Sequence, residues 1–164
     1  MAVLSTDIQV RLSGGSSNSA PSASIGGAKS SVHAGADLFA PVTESEAASG
    51  SVKYRCVYVH NAHVTLSAQA LRAWIIANTP SATTTVEIGV GAAAVNATET
   101  AIGSETTAPS SVTFSSPSTE VVALALFSVP AGQDRALWIK RTVTAGSIAT
   151  PSDSVTLGFR CDSL

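Results

Sequence analysis

From residue 51 onward, short apolar segments with a period of two are separated by turns rich in Gly, Pro, Ser and Thr. In residues 52–59 the even positions carry Val, Tyr, Cys and Tyr, whereas Lys53 and Arg55 lie on the opposite parity. Because side chains alternate between the faces of a strand, this pattern predicts strands. Further strands are predicted at residues 71–76, 86–90, 111–115, 121–127, 136–143 and 154–161. We therefore expect an all-β protein with an antiparallel β-sandwich, either immunoglobulin-like or jelly-roll.

The composition is poor in charge and rich in hydroxyl groups. Charged residues make up 12% of the 164 residues, and the chain contains 25 Ser and 17 Thr. A net charge of −2 gives no field that would neutralise phosphates, so nucleic-acid binding is not expected. The sequence has no apolar run of 18 residues, and no basic segment precedes an apolar one at the N-terminus. Neither a membrane span nor a secretory signal is therefore predicted.

The first fifty residues differ from the rest. A short alternating segment at residues 8–12 is followed by runs of Gly, Ser, Asn, Ala and Pro, which favour turns. Ordering such a segment costs about 1–2 kcal/mol per residue, whereas each large apolar side chain returns only roughly 1.5–3 kcal/mol on burial. We therefore predict an extended N-terminal arm at residues 1–50, held by a neighbouring subunit, and a sandwich domain at residues 51–164. The predicted interface anchors of the arm are Ile8, Val10, Leu12, Ile25, Leu38 and Phe39. For residues 8–12 the alternative is a strand of the chain's own sandwich.

Cys56 and Cys161 share their parity with apolar neighbours, so both are predicted to face the interior from the first and last strands of the sandwich domain. A core disulfide of the immunoglobulin kind is one interpretation. Because nothing predicts secretion, two buried free thiols are favoured and no disulfide is expected. A buried thiol stays protonated, which argues against a cysteine nucleophile.

No pattern of catalytic or metal-binding residues stands out. His60 and His63 are three residues apart, which places them on opposite faces of a strand, and we interpret them as polar residues of a hairpin loop. The acidic residues are scattered, mostly in turns, and nothing favours a catalytic pair. Trp74 and Trp138 lie in apolar strands, which favours core positions over a stacking platform. We therefore expect no enzyme, no metal and no cofactor.

Several sequence blocks follow one another in a distinctive order and spacing. They are residues 11–15 with Asn18, residues 25–28, residues 38–39 with Glu44, residues 50–56, residues 106–109 with 112–114, and residues 137–143. Together they resemble a family of small structural proteins encoded among the virion genes of tailed bacteriophages. The resemblance covers about residues 8–160, departs in the Ala-rich segment around residues 91–94, and implies no catalytic residues.

The resemblance implies a virion protein that is assembled in the cytoplasm of a bacterial host. The favoured hypothesis is a capsid decoration, or cement, protein that binds the major capsid protein and neighbouring copies of itself as a homo-oligomer on the particle. It would stabilise the head by adding buried interface between capsomers. One alternative is a tail or baseplate component, which copy number per particle would distinguish. Another is a host-surface carbohydrate-binding module, which requires exposed aromatic side chains and a pocket.

Overall fold

The structure is a computed structural model that describes residues 2–148, 150 and 153–162. Seven strands in these residues form two antiparallel sheets. The strands are β1 (Ile8–Leu12), β2 (Ser51–Asn61), β3 (Ala68–Ala77), β4 (Thr84–Val90), β5 (Leu124–Val129), β6 (Asp134–Val143) and β7 (Thr156–Asp162). The four-stranded sheet has the order β1-β2-β6-β4, and the three-stranded sheet has the order β5-β3-β7. A helix, α1 (Glu44–Ser49), precedes β2, and 3-10 turns lie at Ser5–Asp7, Pro21–Ala23 and Glu120–Val122.

Apolar side chains from both sheets form one core between them, which confirms the predicted antiparallel sandwich. The buried members are Val57, Val59, Leu71, Ala73, Ile75, Val86, Ile88, Leu126, Val129, Leu137 and Ile139. In constant-type immunoglobulin domains the fifth strand belongs to the four-stranded sheet and the sixth to the three-stranded sheet. Here β5 and β6 have exchanged those places.

Most predicted strand segments lie in or overlap observed strands. Residues 8–12 form β1, the alternative that the alternation allowed. The segment at 121–127 begins too early, because residues 120–122 form a 3-10 turn before β5. The strand predicted at 111–115 is wrong: Ser111 has a positive φ of 58°, which interrupts an extended run, and only Ser115 pairs with Ile88 in an isolated bridge.

Irregular chain from residues 13–32 and 91–119 covers the outer face of the four-stranded sheet and forms a third layer. Beneath it lies a second apolar cluster of Tyr54, Cys56, Tyr58, Ala136 and Trp138. The even positions of β2 therefore face this layer and not the core between the sheets. The prediction that Cys56 faces the sandwich interior is wrong in this respect, because both faces of β2 are buried and alternation alone does not tell them apart.

Hydrogen bonds to the chain's own sheet hold the first part of the chain. β1 pairs with β2 along its whole length. Beyond β1, the Cys56 N–H donates to the Ser24 carbonyl at 2.8 Å, and the Tyr58 hydroxyl donates to the Gly27 carbonyl at 2.7 Å. The premise that a neighbouring subunit must order this segment therefore does not stand.

The two segments of the third layer also bond to each other. The Ile102 N–H donates to the Ile25 carbonyl at 2.9 Å. Next to this contact, Gly26 has a positive φ of 98°, and a Cβ there would lie 2.5 Å from the carbonyl oxygen of Thr100. Only glycine allows so close an approach in this conformation, so a side chain at residue 26 would separate the two segments.

Candidate functional site

The outer face of the three-stranded sheet carries no third layer in the described part of the chain. Arg72, Trp74 and Ile76 alternate with the core residues of β3, and Ile76 is 58% exposed. In the 3-10 turn beside β3, Val121 and Val122 are 95% and 61% exposed. We name this surface the open face. It comprises Arg72, Trp74, Ile76, Glu120, Val121, Val122, Arg160 and Asp162.

The indole of Trp74 lies against the backbone of β7 at Gly158. A Cβ at Gly158 would lie 2.5–2.9 Å from three atoms of the indole ring, so the absence of a side chain creates the space that the ring occupies. The ring is partly exposed and Gly158 beneath it is buried. A fixed, partly exposed tryptophan beside exposed valines has the composition of a binding surface, since aromatic residues are enriched at the centres of protein interfaces.

Two arginines and two carboxylates form a connected set of ion pairs on the open face. Arg160 Nη1 lies 2.9 Å from both carboxylate oxygens of Glu120. Arg72 Nη2 lies 3.1 Å from Asp162 Oδ2, and Arg72 Nη1 lies 3.7 Å from Glu120 Oε1. The hydrogen bond that Arg160 donates to Glu120 raises the pKa of Arg160. Exposed pairs of this kind add little stability, but they leave the open face without net charge.

The two sheets also differ at their edges. Beside β1, the Leu12 N–H donates to the Val32 carbonyl at 3.0 Å, and beside β4, Ser115 exchanges two hydrogen bonds with Ile88 at 2.8 and 3.0 Å. In the three-stranded sheet, no described residue forms a backbone hydrogen bond with the far side of β5 or β7. The chain thus covers the outer face and flanks both edges of one sheet, and leaves the other sheet open.

The six predicted arm anchors all contact the chain's own domain. Leu12 is 1% exposed, and Ile25 is partly buried in the third layer. The remaining four pack against the core between the sheets: Ile8, Val10, Leu38 and Phe39. The structure accounts for these side chains as intramolecular contacts, and their role in an interface with another subunit stays a prediction.

The two cysteines are free and lie in different layers. Cys56 is fully buried beneath the third layer, and burial raises the pKa of its thiol far above the usual range. Cys161 is partly buried against the core between the sheets, and burial raises its pKa as well. Thiols with raised pKa values are poor nucleophiles and poor metal ligands at neutral pH.

The prediction that both histidines lie in a hairpin loop is wrong for His60, which lies in β2 and pairs with Asp134 of β6; His63 lies in the β2–β3 connection, and both are buried. His63 accepts hydrogen bonds at Nδ1 from the backbone N–H groups of Thr65 and Leu66, which fixes the turn. His60 Nδ1 lies 3.2 Å from Lys29 Nζ, and burial lowers the pKa of His60.

The described residues contain no group of three or more His, Cys, Asp or Glu arranged for a metal ion. Within the same residues, no helix has the length and apolar character needed to span a membrane.

A cavity of about 870 Å³ lies at one end of the sandwich, between residues 36–47 and the ends of β4 and β6. Its buried cation is Arg141, which stacks on the Phe39 ring at 4.9 Å and donates from Nη1 to the Ala40 carbonyl at 2.8 Å. Burial lowers the pKa of Arg141. Its Nε and Nη2 have no hydrogen-bond partner in the described residues, but they have almost no accessible surface either. The cavity therefore offers no accessible cation to a ligand.

Sequence reasoning missed the open face. It assigned both tryptophans to core positions, and while Trp138 is fully buried, Trp74 is partly exposed. The charge on Arg72, which shares its parity with Trp74, was the signal that this parity faces solvent. Val121 was missed because residues 121–127 were interpreted as one strand.

Comparisons of this chain with protein-family models, with curated proteins and with solved structures found no match.

Proposed function

We propose that this chain is a non-enzymatic structural protein of a tailed-phage virion, a capsid decoration protein that binds the head lattice through its open face. The observation that carries the proposal is the contrast between the two sheets. The four-stranded sheet is covered on its outer face by the chain's own third layer, whereas the three-stranded sheet leaves Trp74 partly exposed, with Val121 and Val122 of the neighbouring 3-10 turn exposed beside it.

The chemistry of the open face fits a protein partner. Apolar side chains grouped on one surface mark interaction sites, and a central tryptophan with flanking arginines is the composition of residues that dominate binding energy. Arg72 and Arg160 are already paired with Asp162 and Glu120, so no bare charge would be buried on docking. The neutral face also gives no attraction for nucleic acid.

The proposed mechanism is added interface. Each copy would bury its open face on the major capsid protein and thereby join neighbouring capsomers, which resists the pressure of packaged DNA. The virion location and the identity of the lattice partner come from the resemblance of the sequence blocks. A tail or baseplate component would use the same face, and a copy number of few to dozens per particle in place of hundreds would identify it.

The test compares two matched substitutions. Val121→Glu places a charge on the open face, and Val64→Glu places the same charge in the β2–β3 connection, where Val64 is 87% exposed. Because a buried unpaired charge is strongly unfavourable, we expect Val121→Glu to weaken binding to undecorated heads by at least about 30-fold, equivalent to about 2 kcal/mol. Val64→Glu is expected to bind as the unsubstituted protein does.

Binding is measured by co-sedimentation with heads that lack this protein, and thermal unfolding of both variants checks that they fold. If both variants bound heads as tightly as the unsubstituted protein, the open face would not be part of the interface. If both lost affinity to the same degree, a different surface or a non-specific effect of charge would be responsible.

A carbohydrate-binding module remains the second candidate, because Trp74 is partly exposed. Its chemistry is stacking of a sugar ring on the indole, which Trp74→Phe would retain in part and Trp74→Ala would abolish. Binding to an array of bacterial surface glycans distinguishes this candidate: retention of a defined glycan that Trp74→Ala loses would favour it over lattice docking.

A further inference from the structure

The free edge of the three-stranded sheet has a defined hydrogen-bonding pattern. The Ile75 N–H donates to the Pro117 carbonyl and therefore points away from β7. The N–H and C=O groups of the neighbouring residue, Trp74, point the opposite way, towards Gly158 of β7. Because backbone groups alternate in direction along a strand, Gly158 bonds to β3 and its neighbours point away from the sheet. The outward-pointing N–H and C=O groups belong to Leu157, Phe159 and Cys161.

Among the sheet edges, β7 is the regular one that the described chain leaves unpaired. β5 is also unpaired on its far side, but its register with β3 shifts twice and Phe127 has a positive φ of 66°. Such bulges are a common protection against edge-to-edge pairing. The register of β7 with β3 also shifts twice, but in both shifts the extra residue lies on β3; β7 itself pairs without a shift from Leu157 to Arg160 and has no positive φ. A row of free backbone groups on a regular edge is a template for another strand.

We propose that β7 pairs antiparallel with β7 of a second copy of this chain about a two-fold axis at Phe159, joining two three-stranded sheets into one of six strands. This register places Phe159 opposite its own copy and Leu157 opposite Cys161 of the second copy. All three outward-pointing residues then exchange backbone hydrogen bonds. An axis at any other residue of β7 leaves at least one of these described groups unpaired.

The outer-face side chains of β7 fit this register. Arg160 lies opposite Gly158 of the second copy, which has no side chain, and Asp162 lies opposite Thr156, which offers a hydroxyl donor. No like charges are directly opposite, an arrangement that would disfavour pairing. This self-compatible pattern is the reason for assigning the edge to a second copy and not to a foreign strand.

The edge of β7 borders a cavity of about 370 Å³ whose lining includes Val3, Leu4, Ser5, Phe159 and Cys161. Residues 3–5 form no backbone hydrogen bond with β7, so an incoming strand would displace no such bond. The pairing would also place two open faces side by side on one continuous sheet. The dimer does not require the proposed capsid function, and it can be tested without particles.

The test changes the charge opposite Asp162. Thr156 is exposed, so Thr156→Asp does not disturb the core, and the two-fold axis creates two pairs of like charges in the dimer. From the strength of cross-strand pairs we expect the dimer dissociation constant to rise about 2-fold to 30-fold. Thr65→Asp, on an exposed turn, adds the same charge away from β7 and is expected to leave the constant unchanged.

The decisive variant is Thr156→Lys, which places opposite charges across the axis without changing the Arg72–Asp162 ion pair and is expected to lower the dimer dissociation constant about 2-fold to 30-fold. Dissociation constants are measured by sedimentation equilibrium. An unsubstituted protein that stays monomeric up to its solubility limit would overturn the proposal, as would equal effects of Thr156→Asp and Thr65→Asp or a Thr156→Lys variant that dimerises no more tightly than the unsubstituted protein. Val121→Glu is expected to leave the dimer intact, so failure of the dimer and failure of lattice docking are separately visible.

Discussion

The hydroxyl group of Tyr58 links both segments of the third layer to the four-stranded sheet. It donates to the Gly27 carbonyl at 2.7 Å and accepts from the Glu99 N–H at 2.8 Å. Tyr58→Phe removes both bonds without changing the packing of the ring. Since Tyr58 is 1% exposed and Glu99 is 3% exposed, water does not readily replace the lost partner.

The expected loss of stability follows from these two bonds. A buried hydrogen bond contributes about 0.5–1.5 kcal/mol, and a buried group left without its partner costs about 1–3 kcal/mol. For the pair we expect Tyr58→Phe to lower the free energy of unfolding by about 2–4 kcal/mol, a large part of the 5–15 kcal/mol typical of a domain. Tyr54→Phe is the matched control on the same face of β2, because the Tyr54 hydroxyl has no hydrogen bond to the described residues. It should change stability by less than about 0.5 kcal/mol.

Urea unfolding measures both variants, and an unchanged m-value shows that the midpoint shift is a stability change. Hydrogen exchange adds a local readout, since the Glu99 amide should exchange faster in Tyr58→Phe. If Tyr58→Phe were no less stable than Tyr54→Phe, and the Glu99 amide remained protected, the account of how the third layer is held would be refuted.

The raised pKa of the Tyr58 hydroxyl predicts that the protein loses stability at alkaline pH. Burial raises the pKa of Tyr58 to about 12, above its value in the unfolded chain. The stabilisation is therefore complete below about pH 10 and is lost as the pH rises through the folded pKa. Tyr58→Phe should lack this loss, which urea unfolding at a series of alkaline pH values would detect.

Other predictions concern single sites. Burial lowers the pKa of His60, so the stability it contributes is present above about pH 6.5 and is lost as the pH falls; His60→Gln should flatten that dependence in urea unfolding at about pH 5–7. Gly158→Ala should lower stability by about 1–3 kcal/mol because its Cβ would overlap the Trp74 ring, and Trp74→Ala in the same chain should relieve part of the loss in a thermal double-mutant cycle. Glu105→Gln should lower the free energy of unfolding by about 2–4 kcal/mol, since it leaves the guanidinium of Arg55, only 2% exposed, without its carboxylate. A loss of stability that disappears at about 1 M salt would contradict the buried pairing.

The strands were predictable because their apolar periodicity is local. Helix α1 was also within reach of the sequence, although its signal was not used. Thr43 accepts from the Glu46 N–H and Glu46 accepts from the Thr43 N–H, the reciprocal capping box that a Thr-x-x-Glu pattern encodes. The local sequence pattern could not assign residues 111–115, because their only strand pairing is the isolated bridge between Ser115 and Ile88 of β4.

Alternation could not show which face of β2 meets the other sheet. The odd residues Val57 and Val59 face the core between the sheets, and the even residues Tyr54, Cys56 and Tyr58 face the third layer. A strand covered on both sides carries apolar residues on both parities, which is what residues 56–59 show. That continuous run was the available signal for a third layer, but it did not identify the segments that form it.

The ordering of the first fifty residues was misjudged because only apolar side chains were counted in its favour. The backbone of this segment also forms hydrogen bonds, through β1 and through Ser24 and Gly27, and the Ser13 hydroxyl donates to the Cys56 carbonyl at 2.9 Å. Deletion of residues 1–45 would therefore remove β1 and these hydrogen bonds and destabilise the domain, whether or not the segment touches another subunit. A truncated protein that fails to bind particles would not identify an arm interface, whereas a folded chain with one changed residue on the open face separates docking from folding.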